Sequence, residues 1–265
     1  MTIAIAGATG NIGRATALSL IDSGVDDVRL LVRSAAKIPD ELKGLPYAVC
    51  TYADDEAALA ALKGVDALLM VSAKESPRRV ADHRAFIDAA SRARVGSIVY
   101  TSFLGAAPEA IFTHARDHFF TEEHIKASGI DWTFLRDSFY LEFFAALMAS
   151  GEIRGPAGDG ACAGVSRSDV ARVAAAVLAD PGAHAGKTYD LTGPEAFTMA
   201  EAARIGTRSN TSTRRSSRPG PRASPTGSPN GRWPRGSPHT PRYARASLTS
   251  SPTQSKRSPA ACLCL

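Results

Sequence analysis

The sequence predicts an α/β protein: a doubly wound parallel sheet with helices on both faces and a small C-terminal region on the substrate side. Short apolar runs alternate with segments of helical spacing along most of the 265 residues. That is the pattern of strand–helix–strand units that pair in parallel. The first apolar run leads straight into a glycine loop, "GATGNIG", and several helical segments end on a glycine, at Gly24, Gly64, Gly96 and Gly129. Glycine supplies the left-handed residue that stops a helix before the next strand.

Each element follows in order. Ile3 to Ala6 is an uninterrupted apolar run and reads as a buried parallel strand. "RATALSLIDSG" then spaces Ala17, Leu18 and Ile21 for one helix face. The second and third strands are "VRLLVRS" (Val28 to Ser34) and "YAVCTYAD" (Tyr47 to Asp54), followed by the helix "EAALAALKG". "VDALLMVSA" (Val65 to Ala73) is the fourth strand, and "RRVADHRAFIDAASRARVG" a long amphipathic helix. "SIVYTSF" (Ser97 to Phe103) is the fifth strand, "THARDHFFTEEHIKASG" the next helix, and "DWTFLRDSF" (Asp131 to Phe139) the sixth strand. "GEIRGPAGDGACAGV" is loop-like, and "SRSDVARVAAAVLADP" is a helix capped by Ser168 or Asp169. "KTYDLTGPEAFTMAEAARI" reads as a strand, a turn and the start of a helix. These last pieces, from Gly151 to Ile205, are expected to cover the substrate side. Ligands of such sheets bind beyond the carboxyl ends of the strands. That rule lines Ser72, Thr101, Ser102, Phe103 and the stretch Asp137, Ser138, Phe139 and Tyr140 along one crevice with the glycine loop.

The loop itself carries Gly7, Gly10 and Gly13 on a strand-to-helix turn. Such a turn aims free backbone N–H groups and the positive end of the helix dipole at one spot. A pyrophosphate fits there, cradled by Gly7, Ala8, Thr9, Gly10, Asn11, Ile12 and Gly13. The spacing is G-x-x-G-x-x-G rather than G-x-G-x-x-G, and the alternative is an ordinary Gly-rich turn. An acidic residue ending the second strand would accept a hydrogen bond from a free ribose 2′-OH. This strand ends instead in Arg33, with Lys37 close behind. A guanidinium suits a 2′-phosphate through paired, charge-assisted bonds, and Arg14 could add to it. NADPH is therefore expected over NADH, the alternative being that Arg33 and Lys37 are only solvated charges.

The formal charge of +5 misleads about partners. All 26 acidic residues lie at or before Glu201, and after Ile205 there are 11 basic residues and no acid. The body is therefore acidic and carries no nucleic-acid footprint. Cys50, Cys162, Cys262 and Cys264 show neither disulfide nor zinc spacing, so no metal is expected. No charged segment precedes the first strand and no apolar run approaches the ~20 residues that span a bilayer. The expectation is a cytoplasmic protein without a membrane partner.

Taken together, "GATGNIG", "LLVRS", "VSA", "YTSF", "TFLRDSFYLEFF" and "SRSDVARVAAAVL" resemble the NmrA-like atypical short-chain dehydrogenase/reductases. Within them the closest group is the type 2 NAD(P)H:quinone oxidoreductases. The resemblance runs from Thr2 to about Glu201 and implies a Rossmann-type fold, bound NADPH and hydride transfer to a quinone. Ser72, Ala73 and Lys74 would then line the ribose and nicotinamide end. Thr101, Ser102, Asp137 and Ser138 would complete the cofactor groove. A homodimer is compatible with this reading. Other branches of the family imply a different role, a non-catalytic NADP(H)-binding redox sensor acting through a protein partner.

Many short-chain dehydrogenases protonate substrate with Tyr-x-x-x-Lys. None of the six tyrosines here has a lysine four residues on, and the corresponding helix carries His118 and Glu122 instead. Quinones accept hydride readily, so positioning can carry most of the catalysis. Tyr140 and His118 are the candidate catalytic residues. For His118 the alternative is a helix histidine hydrogen-bonded to Glu122 one turn away. His83 reads as packed rather than catalytic. Phe103, Phe139 and Tyr140 are the expected substrate pocket, where a planar quinone would stack. Phe143 and Phe144 read as core.

After Ile205 the text changes character. Residues 206–265 hold 9 of the 16 prolines and few aliphatic residues, a basic Pro/Ser/Arg-rich composition expected to be disordered. A shift of reading frame in GC-rich DNA also explains it. With third bases chosen freely, the shifted frame from Ala246 onward can read as an amphipathic helix ending in glycine.

Overall fold

The structure, a computed structural model, describes residues 1–149 and 158–211. Most of the expected Pro/Ser/Arg-rich segment, from residue 212 on, lies outside the described residues, as does the glycine-rich stretch at 150–157.

The strands are β1 (Ile3–Ala6), β2 (Val28–Val32), β3 (Tyr47–Val49), β4 (Ala67–Met70), β5 (Ser97–Phe103), β6 (Asp131–Asp137), β7 (Ala161–Cys162), β8 (Lys187–Leu191) and β9 (Phe197–Thr198). The helices are α1 (Asn11–Asp22), α2 (Glu56–Leu62), α3 (Arg79–Arg92), α4 (Thr113–Ala127), α5 (Leu141–Ala149), α6 (Arg167–Ala179), α7 (Pro181–His184) and α8 (Met199–Thr211). The chain divides into two compact units, and the described part of the first is residues 1–142 with 163–196.

That first unit is a seven-stranded parallel sheet in the order β3-β2-β1-β4-β5-β6-β8. Side chains alternate across it, as the two-residue period of a strand requires. Ile3 and Ile5 enter one core with Leu20 of α1 and Val170 and Leu178 of α6. Ala4 and Ala6 enter the other with Leu62 of α2, Phe86 and Ile87 of α3 and Ile125 of α4. Both sheet faces are thus buried under helices, the Rossmann-like architecture expected.

The expectation that residues 151–205 as a whole cover the substrate side is corrected by α6 and β8. Helix α6 joins the layer beneath the sheet beside α1, where Thr16 Oγ1 donates to Ala171 O at 3.5 Å. β8 extends the sheet as its seventh strand, in register with β6 from Thr133↔Lys187 to Asp137↔Leu191. The cap of α6 is Ser166 rather than Ser168 or Asp169, its Oγ accepting from Asp169 N at 3.0 Å. A cap needs extended backbone just before the first helical residue, and Ser166 has it.

In the second unit, β7 and β9 form a two-stranded antiparallel ribbon. Phe144 is buried and meets the edge of Phe197 at 5.0 Å. Phe143, expected in the core, is 47% exposed because α5 turns it outward while burying its neighbour. Helix α8 starts from a Thr198–Glu201 capping exchange and continues through residue 211.

Candidate active site

The glycine loop closes tightly on itself. Gly7 has φ +77°, and Gly10 N donates to Gly7 O at 2.8 Å. A Cβ on Gly13 would stand 2.4 Å from Gly7 O, a backbone atom with nowhere to go. α1 begins at Asn11, three residues before the helix start at Arg14 read from sequence, so Gly13 lies in its first turn. Arg14 N reaches Gly10 O, leaving the N–H groups of Asn11, Ile12 and Gly13 without a carbonyl of their own helix. The N-cap is Gly10, which brings no side chain to cover that end. An open helix terminus reached past bare glycine backbone fits a pyrophosphate.

Arg33 follows β2 directly and is exposed, and among the described residues no ion pair engages it. Lys37 is also exposed, closing the short 3-10 turn Ala35–Lys37. The pair fits a 2′-phosphate. Arg14, weighed as a third cation there, is instead paired with Glu41.

The loop after β4 is held from behind. Ser72 N donates to Thr101 Oγ1 at 2.9 Å, and Ala73 N donates to His83 Nε2 at 2.9 Å. His83 therefore carries its proton on Nδ1 and gives it to Thr121 Oγ1 at 3.0 Å, whose own hydroxyl donates to Asp117 O. Burial, then the charge of Arg79, lowers the His83 pKa to about 3, so the imidazole stays neutral and keeps accepting. Packed His83 is thus a positioning group for the Ser72–Ala73–Lys74 loop.

Ser102 and Thr101 face opposite sides of β5. Thr101 serves the β4 loop, while the Ser102 hydroxyl is committed to Glu122 Oε1 at 2.6 Å. Glu122 is fully buried and takes both Nε and Nη2 of Arg136, at 2.9 and 2.6 Å. The expected His118–Glu122 bond is therefore corrected: the carboxylate is saturated by a bidentate arginine from β6.

His118 is corrected as a catalytic acid. It is buried, and Arg79 Nη2, which can only donate, points at Nε2 from 2.9 Å. Nδ1–H then donates to the Tyr100 hydroxyl at 2.9 Å. Burial and the Arg79 charge hold its pKa well below the usual histidine range. A neutral imidazole with both nitrogens occupied has no proton to give at neutral pH. It backs Phe103 instead, stacked at 6.1 Å between ring centres.

The aromatic wall is built by Phe103, Phe139 and a residue that sequence reasoning missed, Phe112. Phe103 lies 5.2 Å from Phe112 and 5.3 Å from Phe139, with Phe112 and Phe139 5.8 Å apart. Phe112 sits at the N-cap of α4, an apolar residue at a polar position, which was its only signal. Tyr140, half-buried just after β6, sets its hydroxyl 2.8 Å from Asp137 Oδ2, a hydrogen bond whose direction follows the charge of Asp137. The Arg167 guanidinium stands 5.0 Å over the tyrosine ring. Asp137 is buried and Ser138 is held to β8 through Ser138 N→Leu191 O at 3.0 Å. Parallel registers from Ala6↔Met70 through Met70↔Tyr100 to Phe103↔Asp137 bring these groups to the carboxyl ends of neighbouring strands.

Fold and site together define a nucleotide-binding oxidoreductase, and the chain belongs to the NAD(P)H-binding family, which it matches over residues 7–181. It is 37% identical to quinone oxidoreductase 2 of Escherichia coli (strain K12) over 214 residues, 78% of this chain and 74% of that protein. It is 31% identical to the NAD(P)H azoreductase of Xenophilus azovorans, over 76% of this chain and 71% of that one. The solved structure of the E. coli NADPH-dependent quinone oxidoreductase with NADPH superposes with a TM-score of 0.74 at 36% identity, covering 79% of this chain and 76% of that one.

Proposed function

We propose that this chain is an NADPH-dependent reductase that converts a quinone to its hydroquinone. The observation that carries this reading is a single line of strand ends. It joins an uncapped, glycine-lined helix N-terminus to an aromatic wall with a tyrosine hydroxyl beside it. Likeness to a quinone oxidoreductase and an azoreductase supports a planar, conjugated electron acceptor. Among the described residues no helix is long and apolar enough to cross a membrane.

Bound NADPH supplies the hydride. The glycine loop, from Gly7 through Ala8, Thr9, Gly10, Asn11 and Ile12 to Gly13, holds the pyrophosphate. Arg33 with Lys37 holds the 2′-phosphate. The Ser72–Ala73–Lys74 loop, fixed by Thr101 and His83, positions the nicotinamide end. Phe103, Phe112 and Phe139 orient the acceptor by stacking and exclude water. Tyr140 gives one proton to the reduced oxygen, so that a quinone gains a hydride and a proton and leaves as the hydroquinone.

The test is NADPH oxidation by the purified chain with a simple benzoquinone, beside an NADH control. Turnover that prefers NADPH is expected. Tight NADPH binding without turnover would overturn the reading in favour of a redox sensor.

A further inference from the structure

We propose that Asp137 is a positioning residue that decides which way the Tyr140 hydroxyl faces and refills its proton. As a neutral acid it donates to the phenol oxygen, and the phenol hydrogen is turned out toward the acceptor. As a carboxylate it takes that hydrogen and leaves Tyr140 nothing to give. The inference rests on the reading of Tyr140 as the proton donor.

The geometry sets up the choice. Asp137 is the last residue of β6 and only 1% exposed. Its Oδ2 meets the Tyr140 hydroxyl at 2.8 Å, and its Oδ1 is buried with no hydrogen-bond partner among the described residues. No cation of the described residues pairs with it. Arg167, from the start of α6, stands over the ring face of Tyr140 rather than beside the carboxyl. Arg79, from α3, is turned to His118. Both guanidinium groups act on Tyr140, while Asp137 responds to burial first and to the Tyr140 hydroxyl second. A buried carboxylate with one hydrogen bond and an orphaned oxygen is costly, so the neutral acid is the favoured form. Burial pushes the Asp137 carboxyl up to about 8, and Tyr140 itself is held well above the ordinary phenol range. A neutral Asp137 keeps its proton on Oδ2, the only oxygen with a partner. Tyr140 has no second hydrogen-bond partner among the described residues, so its own hydrogen is then free for a ligand.

The step balances. Hydride from NADPH leaves the quinone as a hydroquinone monoanion. The Tyr140 O–H bond breaks as the new O–H bond forms on that oxygen. The Asp137 Oδ2–H bond breaks as the Tyr140 O–H bond is restored. Asp137 remains as a carboxylate and takes its next proton from water once product has left.

The test measures kcat for benzoquinone reduction at saturating NADPH across pH, in wild type, Asp137→Asn and Tyr140→Phe. NADPH titration and melting curves confirm that each variant is folded and loaded. From pH 7 to pH 9 the wild-type kcat is expected to fall roughly tenfold, as one ionising carboxyl dictates. Asp137→Asn can still donate to the phenol oxygen but holds no transferable proton. Its kcat at pH 7 should be several-fold lower and then flat with pH. Tyr140→Phe should be slow and flat. An alkaline fall that persists in Asp137→Asn, with Tyr140→Phe slow, overturns the role of Asp137 and leaves the donor reading intact. Tyr140→Phe with wild-type rate and profile overturns the donor reading and the inference with it.

Discussion

The Ala73 N–H donates to His83 Nε2 across 2.9 Å, so a buried histidine of α3 fixes the loop that leaves β4. His83→Ala removes that acceptor and leaves the Ala73 N–H inside without a partner. A loss of about 1–3 kcal/mol is expected for such a group, much of it appearing as weaker cofactor binding. NADPH titration by fluorescence should show a higher Kd, and His83→Gln, which can still accept, should recover part of it.

Arg33→Asp tests the nucleotide preference. The exposed guanidinium at the end of β2 would be replaced by a carboxylate that repels a 2′-phosphate and accepts from a free 2′-OH. NADPH affinity should fall by about 100-fold, in line with loss of a bidentate charged pair worth about 2–3 kcal/mol. NADH affinity should hold or rise. Equal losses for both nucleotides would remove Arg33 from the site.

Gly13→Ala should be severe although the change is one methyl group. The added Cβ would lie 2.4 Å from the carbonyl oxygen of Gly7, and that backbone is itself pinned by Gly10 N. Overpacking of this kind costs about 1–3 kcal/mol. A lower Tm together with lost NADPH binding is the expected result, whereas Gly24→Ala, at a left-handed φ of +81° with open space around it, should cost some stability and affect the cofactor little.

Most of the sheet was legible because strand and helix periods are local properties. The runs Ile3 to Ala6 and Ser97 to Phe103 became strands with those bounds. What failed was anything decided by distant partners. His118 and Glu122 have the spacing of a helical pair, yet His118 finds Arg79, 39 residues away, and Glu122 finds Arg136. A bidentate guanidinium outcompetes a neutral imidazole for a buried carboxylate. Phe112 was missed for a related reason: it lies before a helix, outside any apolar period, and only the sheet brings Phe103 and Phe139 to it. The glycine loop was read correctly as a strand-to-helix turn. The start of α1 was placed late because Gly13 has no helical preference and owes its place to the close approach of Gly7.

Asp137 also predicts how stability depends on pH. Its proton is lost near 3.8 in the unfolded chain and near about 8 in the fold, because burial penalises the charge. Between those values the folded chain binds the extra proton, so this residue's contribution to stability falls as pH rises through that window. Denaturant melts of wild type should lose stability relative to Asp137→Asn across the window, by at most about 1.4 kcal/mol per pH unit. A constant difference between the two would contradict the raised value.

Glu122→Ala leaves the Arg136 guanidinium and the Ser102 hydroxyl without their shared acceptor. Breaking one side of a buried pair costs about 3–5 kcal/mol. The Tm should drop sharply while the NADPH-to-NADH affinity ratio stays put, since the pair supports β5 and β6 and lies away from Arg33.

The most direct measurement is a single turnover of quinone by the chain loaded with NADPH, or with NADPH deuterated at the transferred C4 position. Hydride transfer within the site predicts rapid, quinone-dependent loss of NADPH absorbance, slower for the deuterated cofactor, with hydroquinone formed in equal amount. A chain that binds NADPH tightly and leaves it unoxidised in the presence of quinone would contradict the account.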